Sequence, residues 1–296
     1  MEKAPAKIIL FGEHFVVHGS YSIGCSIDRH MEVEVKKADK LSIIFNDEVV
    51  VKGKAMQAVI NVFDELKLSK NVSVKATSNI PRKAGLGSSA AFSVALVREI
   101  NQKYDLNLDN KKINELSYLA EKAFHGRPSG IDNTLCNFGG LRLFWKDTTT
   151  EKLNFEEILP AKPIKLVVVN TGTRASTIKM VEKEREYSNH NEEKFKGYLA
   201  EVNSIVEDAK DAITEGNLKK LGELMLMNEG FLEKIGVSTK EISRIITSSM
   251  NKGAIGGKLT GGGGGGCVIL LYDKDEVKDK ILENLKDFEC FLTTVG

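Results

Sequence analysis

A glycine-rich segment that carries two adjacent hydroxyl groups, residues 79–94, has the residue types needed to bind a phosphate. It contains Gly85 and Gly87, then Ser88 and Ser89, and it continues into an apolar sequence typical of a buried helix. Glycine lets a backbone approach a ligand closely, and the first turn of a helix offers unpaired N–H groups and a positive dipole end. The serines could cap the helix, bind a phosphate oxygen or ligate magnesium. An ordinary serine-capped turn therefore stays open as an alternative.

A lysine lies within an otherwise apolar segment near the N-terminus. Residues 6–11 read Ala-Lys-Ile-Ile-Leu-Phe and end at Gly12, a pattern that predicts a buried strand. Lys7 would either extend from the strand toward solvent or hold its positive charge against a phosphate. The segment alone does not decide between these two roles.

Two histidines and a glutamate follow this strand. Glu13 and His14 come directly after it and are predicted to line a pocket. His14 and His18 have the spacing of zinc ligands on a helix. The glycines on either side and the Phe-Val-Val between the histidines indicate a loop instead, and no third ligand is near in sequence, so a zinc site is not predicted.

Two carboxylates flank a turn in the middle of the chain. Residues 126–130 contain two glycines and a proline, which predict a rigid turn. Asp132, followed by Asn133, is either a helix N-cap or a buried carboxylate directed at a substrate hydroxyl. Glu121 is either a solvated charge or a cation ligand.

Six consecutive glycines, residues 261–266, precede the apolar segment 267–272. The run contains the Gly-x-Gly-x-x-Gly pattern, but in dinucleotide-binding sites this pattern follows a strand. Its position before a predicted strand favours a loop packed closely against another backbone or a ligand.

Hydrophobic periodicity predicts an α+β protein with helices behind a mixed sheet. Strands are predicted at 31–37, 41–51 (a hairpin around Asn46 and Asp47), 72–76, 141–145, 153–158, 164–169, 267–272 and 288–295, and helices at 54–66, 111–124, 238–250, 277–285 and over about 15 residues from Ser88. Residues 178–231 are charged and helical, with breaks predicted near Gly197, Gly216 and Gly230. Pro160 and Pro163 mark a predicted boundary between a domain of residues 1–160 and one of residues 161–296.

The composition is that of a globular protein. The chain has 296 residues, 42% of them hydrophobic and 28% charged, with a net charge of +1. This charge argues against a nucleic-acid or membrane-surface partner. Four cysteines far apart in sequence are expected to be reduced thiols. No signal sequence and no apolar run of roughly 20 residues is found, which predicts a cytoplasmic protein.

The three glycine-containing segments, Lys7, and the carboxylates Glu121 and Asp132 together indicate phosphoryl transfer. That reaction needs backbone donors for the phosphates, magnesium, a lysine, and a carboxylate near the attacking hydroxyl. The sequence contains neither a Walker motif nor the His-Arg-Asp and Asp-Phe-Gly signatures of protein kinases. The residues alone therefore predict a nucleotide-dependent enzyme acting on a small molecule.

The chain resembles the GHMP superfamily of galactokinase, homoserine kinase, mevalonate kinase and phosphomevalonate kinase. The three motifs of that superfamily are matched by residues 81–91, 125–133 and 258–267, and the opening segment 4–19 is most similar to that of mevalonate kinases. The resemblance implies an N-terminal domain like ribosomal protein S5 domain 2, a ferredoxin-like C-terminal domain, and an active site between them. It also implies ATP-dependent phosphorylation of mevalonate to 5-phosphomevalonate.

The resemblance further implies a role for each matched residue. Asp132 would be the catalytic base or would orient the mevalonate hydroxyl, and Lys7 would contact that hydroxyl or the transferred phosphate and stabilise the charge of Asp132. Ser89 and Glu121 would ligate Mg²⁺. Glu13, His14 and Thr177 would bind mevalonate. The ATP phosphates would be bound by Lys83, Ala84, Gly85, Leu86, Gly87, Ser88 and Ser89.

Three positions depart from the family pattern: Lys83 replaces a frequent glycine, Arg127 a usual Asn or Thr, and Gly262 an alanine. The alternatives are another small-alcohol kinase such as phosphomevalonate kinase, a mevalonate diphosphate decarboxylase, and a non-catalytic metabolite sensor. Whether the chain forms a homodimer is left open.

Overall fold

The structure is a computed structural model that describes residues 1–50, 52–81, 84–147, 149–150, 152–173 and 177–296, without the side chains of Thr177 and Ile178. The strands in chain order are β1 (Glu2–Phe11), β2 (Ser22–Lys37), β3 (Ser42–Phe45), β4 (Glu48–Val50), β5 (Val72–Ser78), β6 (Leu141–Lys146), β7 (Leu153–Ile158), β8 (Ile164–Asn170), β9 (Gly256–Thr260), β10 (Cys267–Tyr272) and β11 (Glu289–Val295). The helices are α1 (Lys54–Glu65), α2 (Ser88–Lys103), α3 (Asn110–His125), α4 (Ile131–Phe138), α5 (Thr177–His190), α6 (Glu192–Glu215), α7 (Leu218–Lys234), α8 (Lys240–Met250) and α9 (Asp275–Asn284).

The strands form a seven-stranded and a four-stranded sheet. The larger sheet has the order β4-β3-β5-β2-β6-β7, with β1 also paired to β2, and the smaller has the order β11-β8-β10-β9. The pairing of β3 with β5 is parallel, whereas β2 pairs with β5 in antiparallel fashion, which confirms the predicted mixed sheet. The predicted hairpin is also confirmed: Asn46 and Asp47 have φ of 45° and 65° between β3 and β4, as a two-residue hairpin turn requires.

The chain divides into two compact units, each built from separate parts of the sequence. The first comprises Met1–Lys7, Asp28–Arg82 and Gly87–Gly139, and the second Ile8–Ile27, Lys83–Leu86 and Gly140–Gly296. Strands β1 and β2 each contribute residues to both units. The expected boundary at residue 160 falls within the second unit, and the division into domains 1–160 and 161–296 stays a prediction.

In the first unit, helices α1 to α4 pack on one another. Helix α2 is buried almost all round, with every residue of Ala90–Val97 in the interior, because α3 and α4 pack against it. The carboxylate of Glu99 on α2 accepts a hydrogen bond of 3.1 Å from the Val35 N–H of β2. This layer places the beginning of α2 and the end of α3 close together.

In the second unit, α7 and α8 pack on β9, and α6 packs on α7. Strands β9 and β10 are buried along their whole length. The breaks predicted near Gly197 and Gly230 are wrong, since both glycines lie inside helices α6 and α7. A single glycine costs a helix only about 1 kcal/mol, which the packing of two long amphipathic helices outweighs. The break at Gly216 is confirmed, with Gly216 at φ 70° after α6.

Within the described residues, no helix is both long enough and apolar enough to cross a membrane. Cys25, Cys136 and Cys267 are buried and Cys290 is partly buried, and all four are free thiols. The reduced state of these cysteines stays a prediction.

Candidate active site

The beginning of helix α2 lies against the side chain of Lys7. Gly87, at φ 75°, is the N-cap of the helix, and Ser88 and Ser89 are its first two residues. The serine cap considered from the sequence is therefore not formed. A Cβ atom at position 87 would lie 2.8 Å from Cγ of Lys7 and 3.0 Å from its Cε, closer than such atoms approach. Glycine at this position lets the first turn of α2 and the lysine side chain lie next to each other.

Lys7 and Asp132 form an ion pair. The Lys7 Nζ lies 3.1 Å from Asp132 Oδ1; the lysine side chain is 4% exposed and the aspartate side chain 35% exposed. Lys7 therefore does not extend into solvent. Asp132 is the second residue of α4, whose N-cap is Gly130, so the N-cap alternative for Asp132 is wrong. The geometry is that of a partly accessible carboxylate held beside a buried ammonium group.

Glu121, near the end of α3, is buried at the beginning of α2. Its carboxylate accepts hydrogen bonds from Ser89 Oγ at 3.2 Å and from Ser93 Oγ at 3.1 Å. Ser89 Oγ also lies 3.1 Å from Nε2 of His125. Burial, reinforced by the negative charge of Asp132, raises the pKa of Glu121 to about 7, although the two serines and Lys7 favour the ionised form. The solvated alternative for Glu121 is thus wrong.

The donor set at this point suits a hard cation. Glu121 and Ser89 offer oxygen atoms, the type of ligand that Mg²⁺ prefers. The carboxylate of Glu121 is buried, and a cation bound beside it would favour its ionised form. No group of three or more His, Cys, Asp or Glu side chains that could hold a metal is found within the described residues. A small protein ligand set is compatible with Mg²⁺, which usually retains waters and binds substrate phosphates.

The second unit holds the other predicted binding residues. His14 has φ 61°, a left-handed conformation that is uncommon outside glycine and that concentrates at functional sites. Its Nε2 donates to the carbonyl of Gly262 at 3.0 Å, and burial lowers its pKa. Glu13 is buried and ion-paired with Lys258. His18 pairs instead with the buried Glu184, at 2.9 Å.

The glycine run 261–266 is packed against neighbouring backbone. A Cβ at Gly261 would lie 3.0 Å from the carbonyl oxygen of Gly85, and one at Gly263 only 2.4 Å from that of Val237. The prediction of a loop pressed against another backbone is confirmed. A side chain at either position would force the backbone apart.

Several residues that contact the predicted site residues were not predicted from the sequence. Ser93 lies one turn after Ser89 on the same face of α2, and this i, i+4 spacing was the available signal. His125 sits four residues after Glu121 in the same way. Lys258 and Glu229 have no comparable signal, because their partners are distant in sequence. Lys83 and the side chain of Thr177 lie outside the described residues.

The chain is similar in sequence to proteins of one known family. Two family models match the chain: the GHMP kinases N terminal domain over residues 51–140 and the GHMP kinases C terminal domain over residues 209–289. A mevalonate kinase of Thermococcus onnurineus is 36% identical, covering 92% of this chain and 88% of the relative. One of Archaeoglobus fulgidus is 33% identical and covers 94% of both chains.

Two solved structures resemble the structure of this chain. The L. major mevalonate kinase in complex with R-mevalonate has a TM-score of 0.89 and 30% identity, covering 99% of this chain and 95% of that one. A Streptococcus pneumoniae phosphomevalonate kinase has a TM-score of 0.83 at 18% identity, covering 99% of both. At that identity the second likeness concerns the fold alone.

Proposed function

The chain belongs to the GHMP kinases, and on this premise we propose that it transfers the terminal phosphoryl group of ATP to mevalonate, producing 5-phosphomevalonate and ADP. The curated relatives at 33–36% identity are named mevalonate kinases, and the L. major structure contains mevalonate. The fold is the two-domain α+β fold of this family, and the enzyme is an ATP-dependent small-molecule kinase.

The proposed reaction rests mainly on the ion pair between Lys7 and Asp132. A carboxylate that is one-third exposed can reach a substrate hydroxyl, and the buried ammonium beside it fixes its position. In the proposed reaction, Asp132 accepts the proton of the hydroxyl that attacks the phosphorus, or orients that hydroxyl. Lys7 stabilises the negative charge of the carboxylate and of the transferred phosphoryl group.

ATP would be bound at the glycine-rich turn. The first N–H groups of α2 and the positive end of its dipole would bind an anion at the helix N-terminus, and glycine at positions 85 and 87 would leave room for it. The proposed phosphate-binding segment is Lys83 to Ser89, within which Ala84 and Leu86 are buried and fix the turn. Ser88 would contribute its backbone N–H.

Magnesium would be held by Ser89 and Glu121. Bound there with the ATP phosphates, Mg²⁺ would neutralise charge that develops during transfer. The hydrogen bond between Ser89 and Glu121 holds the two donors next to each other. The charge of the ion would also favour the ionised carboxylate of Glu121 over its neutral form.

Mevalonate would be bound by Glu13, His14 and Thr177. The strained backbone of His14 and its hydrogen bond to Gly262 fix the imidazole. A neutral imidazole and a carboxylate can hydrogen-bond a hydroxyl group.

A coupled assay of ADP release tests the proposal. The purified chain is supplied with ATP, Mg²⁺ and, in turn, mevalonate, phosphomevalonate, galactose and homoserine. We expect turnover with mevalonate that is at least a hundredfold more efficient than with the others. Preferred turnover of phosphomevalonate would replace mevalonate as the substrate, and binding without turnover of any alcohol would indicate a sensor. ADP release that needs no divalent ion would contradict the magnesium assignment.

A further inference from the structure

A buried cluster of ionisable side chains in the second unit surrounds Glu13, one of the residues proposed above to bind mevalonate. Lys258, in β9, is completely buried. Its Nζ forms an ion pair and hydrogen bond with Oε1 of Glu13, and it also donates to the carbonyl of Leu259 at 2.6 Å. A buried ion pair contributes little to stability, because its desolvation cost offsets the attraction. Some role other than stability is therefore the better account of this pair.

The peptide next to Lys258 is held from both sides by ionisable side chains. The Leu259 N–H donates to Oε2 of Glu229 at 2.9 Å, while its carbonyl accepts from Lys258. The other oxygen of Glu229 accepts a hydrogen bond of 2.5 Å from Ser238 Oγ. Strand β9 is an edge strand of the four-stranded sheet, so these side chains satisfy backbone groups that a neighbouring strand would otherwise bind.

The hydrogen bonds of the Leu259 peptide to Lys258 and Glu229 restrict the position of the Lys258 ammonium group. Its stem is surrounded by protein on all sides, and its carbonyl partner belongs to a peptide that Glu229 holds in place. The ion pair with this restricted ammonium group in turn determines the position of the Glu13 carboxylate. Thr260, which follows Leu259, accepts a hydrogen bond of 2.8 Å at its Oγ1 from the Ile9 N–H and donates one of 3.0 Å to the Ile9 carbonyl. These bonds fix β9 against the strand that leads to Glu13.

We propose that Lys258 is a positioning residue for the substrate: anchored through Leu259 by Glu229, it orients the carboxylate of Glu13 toward a hydroxyl group of the alcohol substrate and offsets its negative charge against the anionic end of that substrate. This inference rests on the proposed function, since it needs Glu13 to contact the alcohol. It adds a residue that does not itself touch the substrate and that acts only through Glu13.

A double-mutant cycle tests the inference. Lys258→Met removes the charge and keeps a long apolar side chain, and Glu13→Gln removes the carboxylate. We expect Lys258→Met to raise the KM for mevalonate at least tenfold, with the KM for ATP changed less than twofold. The double variant should have the same KM for mevalonate as Glu13→Gln alone, because Lys258 has no effect once its partner is neutral. Lys252→Met, at an exposed lysine of the same unit, is the matched control and should change neither KM.

Several results would overturn the inference. An unchanged KM for mevalonate in Lys258→Met, an equal rise of both KM values, or additive effects in the double variant would each give Lys258 a merely structural role. If Lys258→Met does not fold, the double variant, which removes both charges, is compared with Glu13→Gln. A KM for mevalonate that is tenfold higher in the double variant than in Glu13→Gln would then reject the role. Failure of the wild-type chain to turn over mevalonate contradicts the proposed function instead, and the same cycle is then run with the alcohol that is turned over.

Discussion

Replacing Glu229 with glutamine removes a buried carboxyl group whose ionisation opposes folding at neutral pH. Burial raises the pKa of Glu229 from 4.5 to about 7, and the negative charge of Glu13 adds to this, against the opposing effects of Ser238, Leu259 and Lys258. In the unfolded chain the same carboxyl group is solvated and loses its proton near pH 4.5. Glutamine has nearly the same shape and keeps an oxygen that can accept from the Leu259 N–H.

The sign and size of the effect follow from proton linkage. Between pH 4.5 and 7 the folded state binds more protons at Glu229 than the unfolded state, so the free energy of unfolding falls as the pH rises. With about 1.36 kcal/mol for each pH unit between the two pKa values, the group should lower wild-type stability by about 2.5 kcal/mol between roughly pH 5 and pH 8. Glu229→Gln does not show this fall in stability, because glutamine does not ionise. The variant should therefore gain about 2.5 kcal/mol relative to wild type over that interval.

Urea denaturation followed by circular dichroism at about pH 5 and pH 8 measures this difference. Glu223→Gln, an exposed position on the same helix α7, controls for the loss of one negative charge. The reasoning is refuted if the stability difference between wild type and Glu229→Gln is the same at both pH values. It is also refuted if Glu223→Gln shows the same gain.

Three further perturbations concern the first unit. Asp132→Asn should lower kcat by about 10²–10⁴ while ATP still binds, because the carboxylate proposed to accept the proton of the substrate hydroxyl or to orient it is removed, whereas the phosphate-binding turn is unchanged. Ser89→Ala should raise the Mg²⁺ concentration needed for half-maximal rate and the KM for ATP together, since one proposed magnesium ligand is removed. Gly87→Ala should lower the free energy of unfolding by about 1–2 kcal/mol and reduce kcat, because its Cβ would displace the Lys7 side chain.

Steady-state kinetics, nucleotide binding by calorimetry and urea denaturation check these outcomes. Near-normal turnover of Asp132→Asn would remove that residue from the chemistry. An unchanged Mg²⁺ dependence of Ser89→Ala would count against the serine as a metal ligand. Gly172 also has a positive φ, 70°, but a Cβ there would meet nothing within 4 Å, so Gly172→Ala is the control for backbone strain without a clash. Equal kinetic losses in both glycine variants would show that displacement of Lys7 is not the cause.

The local elements could be predicted from the sequence because their signals are local. The two-residue turn at Asn46 and Asp47, the start of α2 at Ser88 and the tight packing of residues 261–266 follow from residue types a few positions apart. Where prediction failed, at Gly197 and Gly230, tertiary packing outweighed a weak local preference for ending the helix. The N-cap was also misplaced, because Gly87 and Gly130 take positions for which serine or aspartate is the usual residue.

The sequence by itself determined which chemical groups this protein possesses and where most of its helices and strands lie, since those properties depend on side-chain type and short-range spacing. Only the tertiary structure decided that Lys7 pairs with Asp132, that Glu121 is buried beneath Ser89 and Ser93, and that Lys258 pairs with Glu13. Such pairings join residues far apart in the chain, and they form because burial makes an unpaired charge too costly to leave alone.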